Sequence, residues 1–185
     1  CSNNQLTTLD VSQNTALTRL SCSNNQLTAL DVSHNPALTY LYCNDNQLTT
    51  LDVSQNPALS RLSCVNNQLT ALDVSQNRAF DWLNCSNNQL TTLDVSKSTA
   101  LYNLQCASNK LTALDVSQNR ALTYLSCTVN QLTTAGLNAL FNTLPTVTVS
   151  ATIYISGNPG TGTCNGSIAT GKGWMVDDTY YQVWY

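Results

Sequence analysis

Cysteine recurs at one fixed spacing in this 185-residue chain, and clustered cysteines can bind metals, form disulfides or carry out redox chemistry. Zinc sites use closely spaced C-x-x-C pairs, and the chain has none. Side chains that face each other across parallel strands rarely reach the disulfide dihedral angle. A buried thiol instead behaves as a small hydrophobic group. We therefore predict free structural thiols at Cys22, Cys43, Cys64, Cys85, Cys106 and Cys127, with Cys1 one more member of the series.

Aspartate recurs in the same way and raises the question of calcium binding or acid–base catalysis. The positions are Asp10, Asp31, Asp52, Asp73, Asp94 and Asp115. Calcium needs several oxygen ligands per site, and the repeated motif offers no second acidic position. We expect each carboxylate to accept hydrogen bonds from nearby backbone N–H groups, which offset the repulsion along the row.

Catalytic motifs are missing from the sequence. His34 is the only histidine, glutamate does not occur, and no G-x-S-x-G, P-loop or zinc-protease motif appears. We therefore expect a protein that is not an enzyme and that has no cofactor and no bound metal.

The elements that position these residues follow from a 21-residue repeat. One unit reads L-x-x-L-x-C-x-x-N-x-L-T-x-L-D-V-S-x-N-x-A, which matches the leucine-rich repeat pattern with Cys in the third apolar position. Such a short coil cannot bury its own leucines, so it must stack on its neighbours. The repeat predicts a β-rich solenoid of the α/β class: a right-handed parallel superhelix with a concave parallel sheet and an extended or 3₁₀ convex side.

Within each unit, Leu17, Leu20 and Cys22 should point inward from the strand, and Leu27, Leu30 and Val32 should form the opposite wall. Asparagine follows each strand, where its amide can bond the backbone of its own coil and of the next. This predicts a structural ladder of Asn25, Asn46, Asn67, Asn88, Asn109 and Asn130. A second ladder, interrupted by Ser98, should serve the other turn with Asn14, Asn35, Asn56, Asn77 and Asn119.

The 21-residue sequence pattern changes after residue 133. "TTAGLNALFNTLP" has helical spacing and ends at Pro145, and "IYISGN" then restores the frame, with Ile153 in the place of Leu125. We predict repeats over residues 1–133, a capping coil over 134–176 with a helix at about 134–144, and a closing strand or linker over 177–185.

The text "LxxLxCxxNQLTxLDVSxNPAL" resembles the secreted bacterial leucine-rich repeat proteins of the internalin J type, which have 21-residue units and a cysteine ladder. The ending "LNALFNTLP…IYISGNPGTGTC…SIA…KGWMV" is similar to the cap of Bacteroidetes surface proteins. The resemblance implies a secreted or bacterial cell-surface protein whose repeats serve adhesion or ligand binding.

The positions that vary between repeats lie on the outer face of the predicted strands. They concentrate tyrosine, tryptophan and arginine, the types enriched in binding hot spots, although aromatic residues also suit exposed strands. The predicted function is non-catalytic recognition of a protein or glycan on the concave face. The alternatives are a spacer that displays other domains and, more weakly, an ice- or mineral-binding hydroxyl array on the convex side. The candidate ligand-binding residues are Arg19, Tyr40, Tyr42, Arg61, Asp81, Trp82, Tyr102 and Tyr124.

Charge and hydropathy argue against nucleic acid and membranes as binding partners. The net charge is −3 with only 9% charged residues, so the chain lacks the basic surface that nucleic acid requires. No apolar run is long enough to span a membrane. We expect a monomer that neither binds nucleic acid nor inserts into a membrane.

Overall fold

One sheet of eight parallel strands, ordered as in the chain, forms one side of the computed structural model, which describes residues 1–179. The strands are β1 Arg19–Ser21, β2 Tyr40–Tyr42, β3 Arg61–Ser63, β4 Trp82–Asn84, β5 Asn103–Gln105, β6 Tyr124–Ser126, β7 Ala151–Tyr154 and β8 Trp174–Asp177. Two helices, α1 Thr134–Thr143 and α2 Ser167–Thr170, lie in the C-terminal coils. Neither helix is long and apolar enough to cross a membrane, and the described residues contain no other helix.

The register of the sheet keeps equivalent residues of successive coils side by side. Leu20 pairs with Leu41, and Leu41 pairs with Leu62, so each central leucine packs on the next along the stack. The walls close over this row with Leu27 and Val32 and their counterparts, which are almost completely buried from the second coil onward. The core is therefore one continuous column, as stacking of short coils requires.

The convex side consists of extended segments and turns through the six regular repeats. The chain turns at the aspartate of each "LDVS" segment. Asp31 Oδ1 accepts the Ser33 N–H at 2.8 Å, and each of the other five coils has the same bond. This short turn lets a 21-residue unit return to the sheet without a helix.

The last coils cover the open end of the core. Helix α1 starts at the N-cap Thr133, whose hydroxyl accepts the Gly136 N–H, and buries Leu137, Leu140 and Phe141. β7 then returns to the sheet 28 residues after β6, with Ile153 beside Leu125 as predicted. β8 closes the sheet with Trp174, which is 2% exposed and donates its indole N–H to the Pro145 carbonyl at 2.8 Å.

Strand β8 begins inside the range assigned to the capping coil and ends at the first residue of the predicted closing segment. Residues 180–185 of that segment lie outside the described residues. Gly173, at φ +89°, lies between the short helix α2 and the first residue of β8.

Candidate functional site

The outer face of the sheet, here called the concave face, carries one row of side chains from six successive strands. Sheet register aligns them in the order Arg19, Tyr40, Arg61, Trp82, Asn103 and Tyr124. Tyr42 lies in the parallel row two residues further along the strand, and Asp81 and Tyr102 directly precede β4 and β5. All eight sequence-predicted residues are half-buried or exposed.

Tyr40 forms the centre of a cation–aromatic group at the N-terminal part of this face. The Arg19 guanidinium carbon lies 4.3 Å from the ring centroid of Tyr40, and the Arg61 carbon lies 5.7 Å from it. Both distances are within the range at which the negative face of an aromatic ring attracts a cation. The two arginines therefore hold the ring in place from neighbouring strands.

Arg61 is also paired with a carboxylate. Its Nε lies 3.1 Å from Asp81 Oδ1, and both side chains are more than one third exposed. The Asp81 charge raises the pKa of Arg61 above its usual value. An exposed pair of this kind contributes little to stability, so its main effect is to fix the direction of Arg61 on the face.

The middle of the concave face is a neutral polar network. Asn84 donates to Gln105 Oε1 at 3.1 Å, and the Gln105 amide donates to Asn103 Oδ1 at 3.0 Å. This network separates the charged N-terminal part of the face from an aromatic C-terminal part.

At the C-terminal end, Tyr124 and Tyr154 bring their ring centroids to 5.3 Å with a tilt of 42°. A cavity of about 310 Å³ opens beside them. It is lined by Tyr124, Ser126, Thr128, Tyr154, Ser156, Asp177 and Thr179. Tyr124 is the one predicted candidate in this lining.

The cysteine ladder is buried and reduced. Cys22 through Cys127 have no exposed surface, and all eight cysteines of the chain are free thiols. Burial raises the pKa of Cys22 to about 11 and that of Cys85 to about 12. From Cys43 onward each ladder thiol donates to a carbonyl of the next coil, as Cys106 does to the Ser126 carbonyl at 3.4 Å. The high pKa values and the lack of access leave these thiols without redox or nucleophilic chemistry.

The first asparagine ladder joins neighbouring coils. Asn67 donates its amide hydrogens to carbonyls of Cys43, Cys64 and Val65, and its Oδ1 accepts the Leu48 N–H at 3.0 Å. Asn158 repeats the pattern in the capping coil by bonding the Cys127 and Ile155 carbonyls and the Leu132 N–H. These side chains are part of the backbone hydrogen-bond network and are not available to a ligand.

The aspartate row is exposed, and each carboxylate is occupied by its own turn. The backbone N–H of the serine two residues on is the main reason that the pKa values of Asp10, Asp31, Asp52, Asp73 and Asp94 fall below the ordinary value. Within residues 1–179, no group of three or more histidine, cysteine or acidic side chains is arranged to hold a metal ion.

Six of the seven residues that line the C-terminal cavity are absent from the candidate set predicted from the sequence, and Tyr154 and Asp177 are two of them. Tyr154 follows the frame of the repeat and was accessible from the pattern. Asp177 was not, because it pairs with Tyr154 only through the register of β8, which lies 23 residues after β7 rather than 21.

Comparison with solved structures identifies the architecture. The chain is similar to the functional domain of InlJ from Listeria monocytogenes, which includes a cysteine ladder: the identity is 43%, the TM-score is 0.80, and the match covers 92% of this chain and 36% of that one. This chain is a leucine-rich repeat protein. No protein-family model and no curated protein sequence matches it.

Two further structures have the same leucine-rich repeat fold. An internalin, inlF, from Listeria monocytogenes has 23% identity and a TM-score of 0.80 over 93% of this chain and 50% of its own. The effector YopM from Yersinia pestis has 26% identity and a TM-score of 0.66 over 85% of this chain and 42% of its own. The predicted solenoid fold, the cysteine ladder and the likeness to internalin J are thus confirmed. This chain spans half or less of the length of each of these three proteins.

Proposed function

We propose that this leucine-rich repeat protein is a non-catalytic recognition module, secreted or on the bacterial cell surface, that binds a protein or glycan on its concave face. The observation that carries the proposal is the contrast between the two kinds of position in each coil. Core and turn positions repeat almost without change, whereas the outward strand positions vary and collect Tyr40, Arg61 and Trp82.

The physical properties of this surface support the assignment. Stacking of the coils requires leucine, cysteine and asparagine, and none of those requirements asks for a large aromatic residue on the outer face. Tyr and Trp provide much contact area at low entropy cost, and Arg adds directed hydrogen bonds. The cation–aromatic contacts and the Asp81 pair hold Tyr40 and Arg61 in place before a ligand arrives, which lowers the cost of binding.

The proposal is tested with glycan arrays and arrays of purified cell-surface proteins, probed with the wild-type chain and with a Tyr40→Ala/Trp82→Ala double variant. We expect the double variant to fold and to lose at least about tenfold in affinity for any ligand that the wild type binds. A convex-side variant, Gln55→Ala/Gln76→Ala, is the matched control and should bind like the wild type.

Unchanged binding by the folded double variant would contradict the concave-face assignment. Loss of binding in the convex-side variant alone would move the site to the opposite face. A chain that binds neither class of array would favour the spacer alternative.

A further inference from the structure

We infer that the cavity at the C-terminal end of the concave face is a subsite for one or two rings of a neutral saccharide. The inference rests on the proposed recognition function and narrows its ligand class at this end of the sheet. Its basis is the way three neighbouring strands place their residues around one small space.

The cavity lies at the carboxyl ends of three adjacent strands and is lined by the last residue of each strand and the residue two positions further on. Ser126, Tyr154 and Asp177 are the last residues of β6, β7 and β8, and Thr128, Ser156 and Thr179 follow two residues after each strand ends. Sheet register holds Ser126, Tyr154 and Asp177 side by side. The sheet therefore sets the positions of these three side chains, and the other three lie only two residues beyond the strand ends.

The tyrosine pair provides the apolar part of the site. Tyr124 and Tyr154 are diagonal neighbours, with centroids 5.3 Å apart and rings tilted by 42°. The two rings form an angled surface rather than a flat stack. A pyranose ring has an apolar face of C–H bonds that packs against the electron-rich face of such a ring.

Asp177 provides a fixed acceptor at the other side of the cavity. Its Oδ1 accepts both the backbone N–H and the hydroxyl of Thr179, at 2.9 and 2.5 Å. Among the described residues both bonds use one oxygen, so Oδ2 can accept a hydrogen bond from a ligand hydroxyl. The half-buried Ser126 and Thr128 add hydroxyls, which both donate and accept, as the hydroxyls of a sugar require.

The chemistry of the lining selects against other ligands. All seven described lining residues are Tyr, Ser, Thr or Asp, so the lining combines aromatic rings with hydroxyl and carboxylate groups, which match the C–H faces and the hydroxyls of a sugar. The described lining contains no Lys or Arg, and the Asp177 charge repels carboxylates and phosphates. The volume of about 310 Å³ is at the small end of ligand pockets. A neutral sugar fits these conditions and an anionic one does not.

The test is a calorimetric or NMR titration of the wild-type chain with cellobiose, lactose, N,N′-diacetylchitobiose and mannobiose. We expect at least one of these neutral disaccharides to bind with a dissociation constant on the order of 1 mM. Tyr154→Ala should weaken that binding at least about tenfold, Tyr154→Phe should retain most of it, and Asp177→Asn should weaken it. Gln55→Ala, on the convex side, should have no effect. Sialyl-lactose should bind more weakly than lactose.

The inference is overturned if none of the four disaccharides binds the wild type, or if a folded Tyr154→Ala variant retains wild-type affinity. Presenting the best disaccharide on a peptide distinguishes the source: equal affinity indicates recognition of a saccharide alone, and tighter binding indicates a glycoprotein. If disaccharides fail while Tyr40→Ala/Trp82→Ala still abolishes array binding, the subsite is wrong and the proposed function stands. If a disaccharide binds in a Tyr154-dependent way while the Tyr40→Ala/Trp82→Ala variant binds the arrays like the wild type, the subsite stands and the proposed concave-face function is wrong.

Discussion

At the scale of single residues, each coil contains one position that demands an unusual backbone. The residue before each of the six ladder asparagines has a positive φ, and so does Asn3 before the equivalent Asn4, with all seven values between 52° and 58°. Asparagine or aspartate occupies five of these positions and tolerates the left-handed region. Gly157, at φ +72°, takes the same place in the capping coil. Val129, at φ 52°, is the β-branched exception.

We predict that Val129→Asn stabilises the protein. A β-branched residue in the left-handed region costs roughly 1–2 kcal/mol, and Val129 is 39% exposed, so it gives up little buried apolar area on replacement. The expected gain is about 1 kcal/mol in the free energy of unfolding, measured from urea denaturation followed by circular dichroism.

The reverse exchange provides the control. Asn87 has φ 54° at the equivalent position of another coil, and Asn87→Val should destabilise by a similar amount. Destabilisation by Val129→Asn would show that the left-handed strain at this position is not the dominant energy.

The residues with positive φ also show which single-residue features can be predicted from the sequence. The spacing alone was enough to assign Cys22 and Asn25 to core and turn, because identical coils must stack in register. The positive φ at Asn24 agrees with the tolerance of asparagine for the left-handed region, although the repeat pattern alone does not predict it. At Ser108 and Val129 no residue preference indicates the conformation, which the neighbouring coils impose through stacking.

At the scale of elements, strands of only three residues are too short to hold a coil in place by themselves. The ladder asparagines compensate, because each amide bonds carbonyls in two coils and accepts a backbone N–H from one of them. Asn67 thereby joins the coil of Cys43 to its own. A buried backbone group that loses such a partner costs about 1–3 kcal/mol.

We predict that Asn67→Ala lowers the free energy of unfolding by about 3 kcal/mol. The substitution leaves the Leu48 N–H without its acceptor and removes donors to three carbonyls in a region where water has little access. Chemical denaturation measures the change. The neighbouring exposed Gln68→Ala is the matched control and should change stability by less than about 0.5 kcal/mol. An equal effect of the two variants would contradict the bridging role.

In the candidate site, the sequence predicts which face a side chain occupies but not which side chains of neighbouring coils pair with each other. Placing Tyr40 and Arg61 on the same face required only the period-two alternation of a strand. The Arg61–Asp81 pair, by contrast, depends on a side-chain direction between two coils that the pattern does not specify. The C-terminal cavity depends on the register between β7 and β8, which the 21-residue pattern does not predict because the capping sequence does not repeat.

At the scale of the whole molecule, the repeat multiplies weak local interactions along the convex side. Five carboxylates have pKa values lowered from 3.8, chiefly by the backbone N–H of the serine two residues on. Each group is almost fully exposed, so each effect is small. Because every coil unfolds together with its neighbours, the effects add along the array.

We predict that the stability of the whole solenoid falls in acid. A carboxylate whose pKa is lower in the folded than in the unfolded chain stabilises the fold above the unfolded value of 3.8. That contribution is lost as the pH falls from this value through the folded pKa values. Urea midpoints should therefore change little between pH 7 and pH 5 and decrease steeply below about pH 4.

The matched variant is Asp31→Asn/Asp52→Asn/Asp73→Asn. An asparagine Oδ1 can still accept the serine N–H that closes each turn, but it does not titrate, and three neighbouring like charges are removed. We expect this variant to fold at neutral pH and to show a clearly smaller loss of urea midpoint below pH 4. An acid dependence as steep as that of the wild type would contradict the assignment and place the acid-sensitive groups elsewhere in the chain.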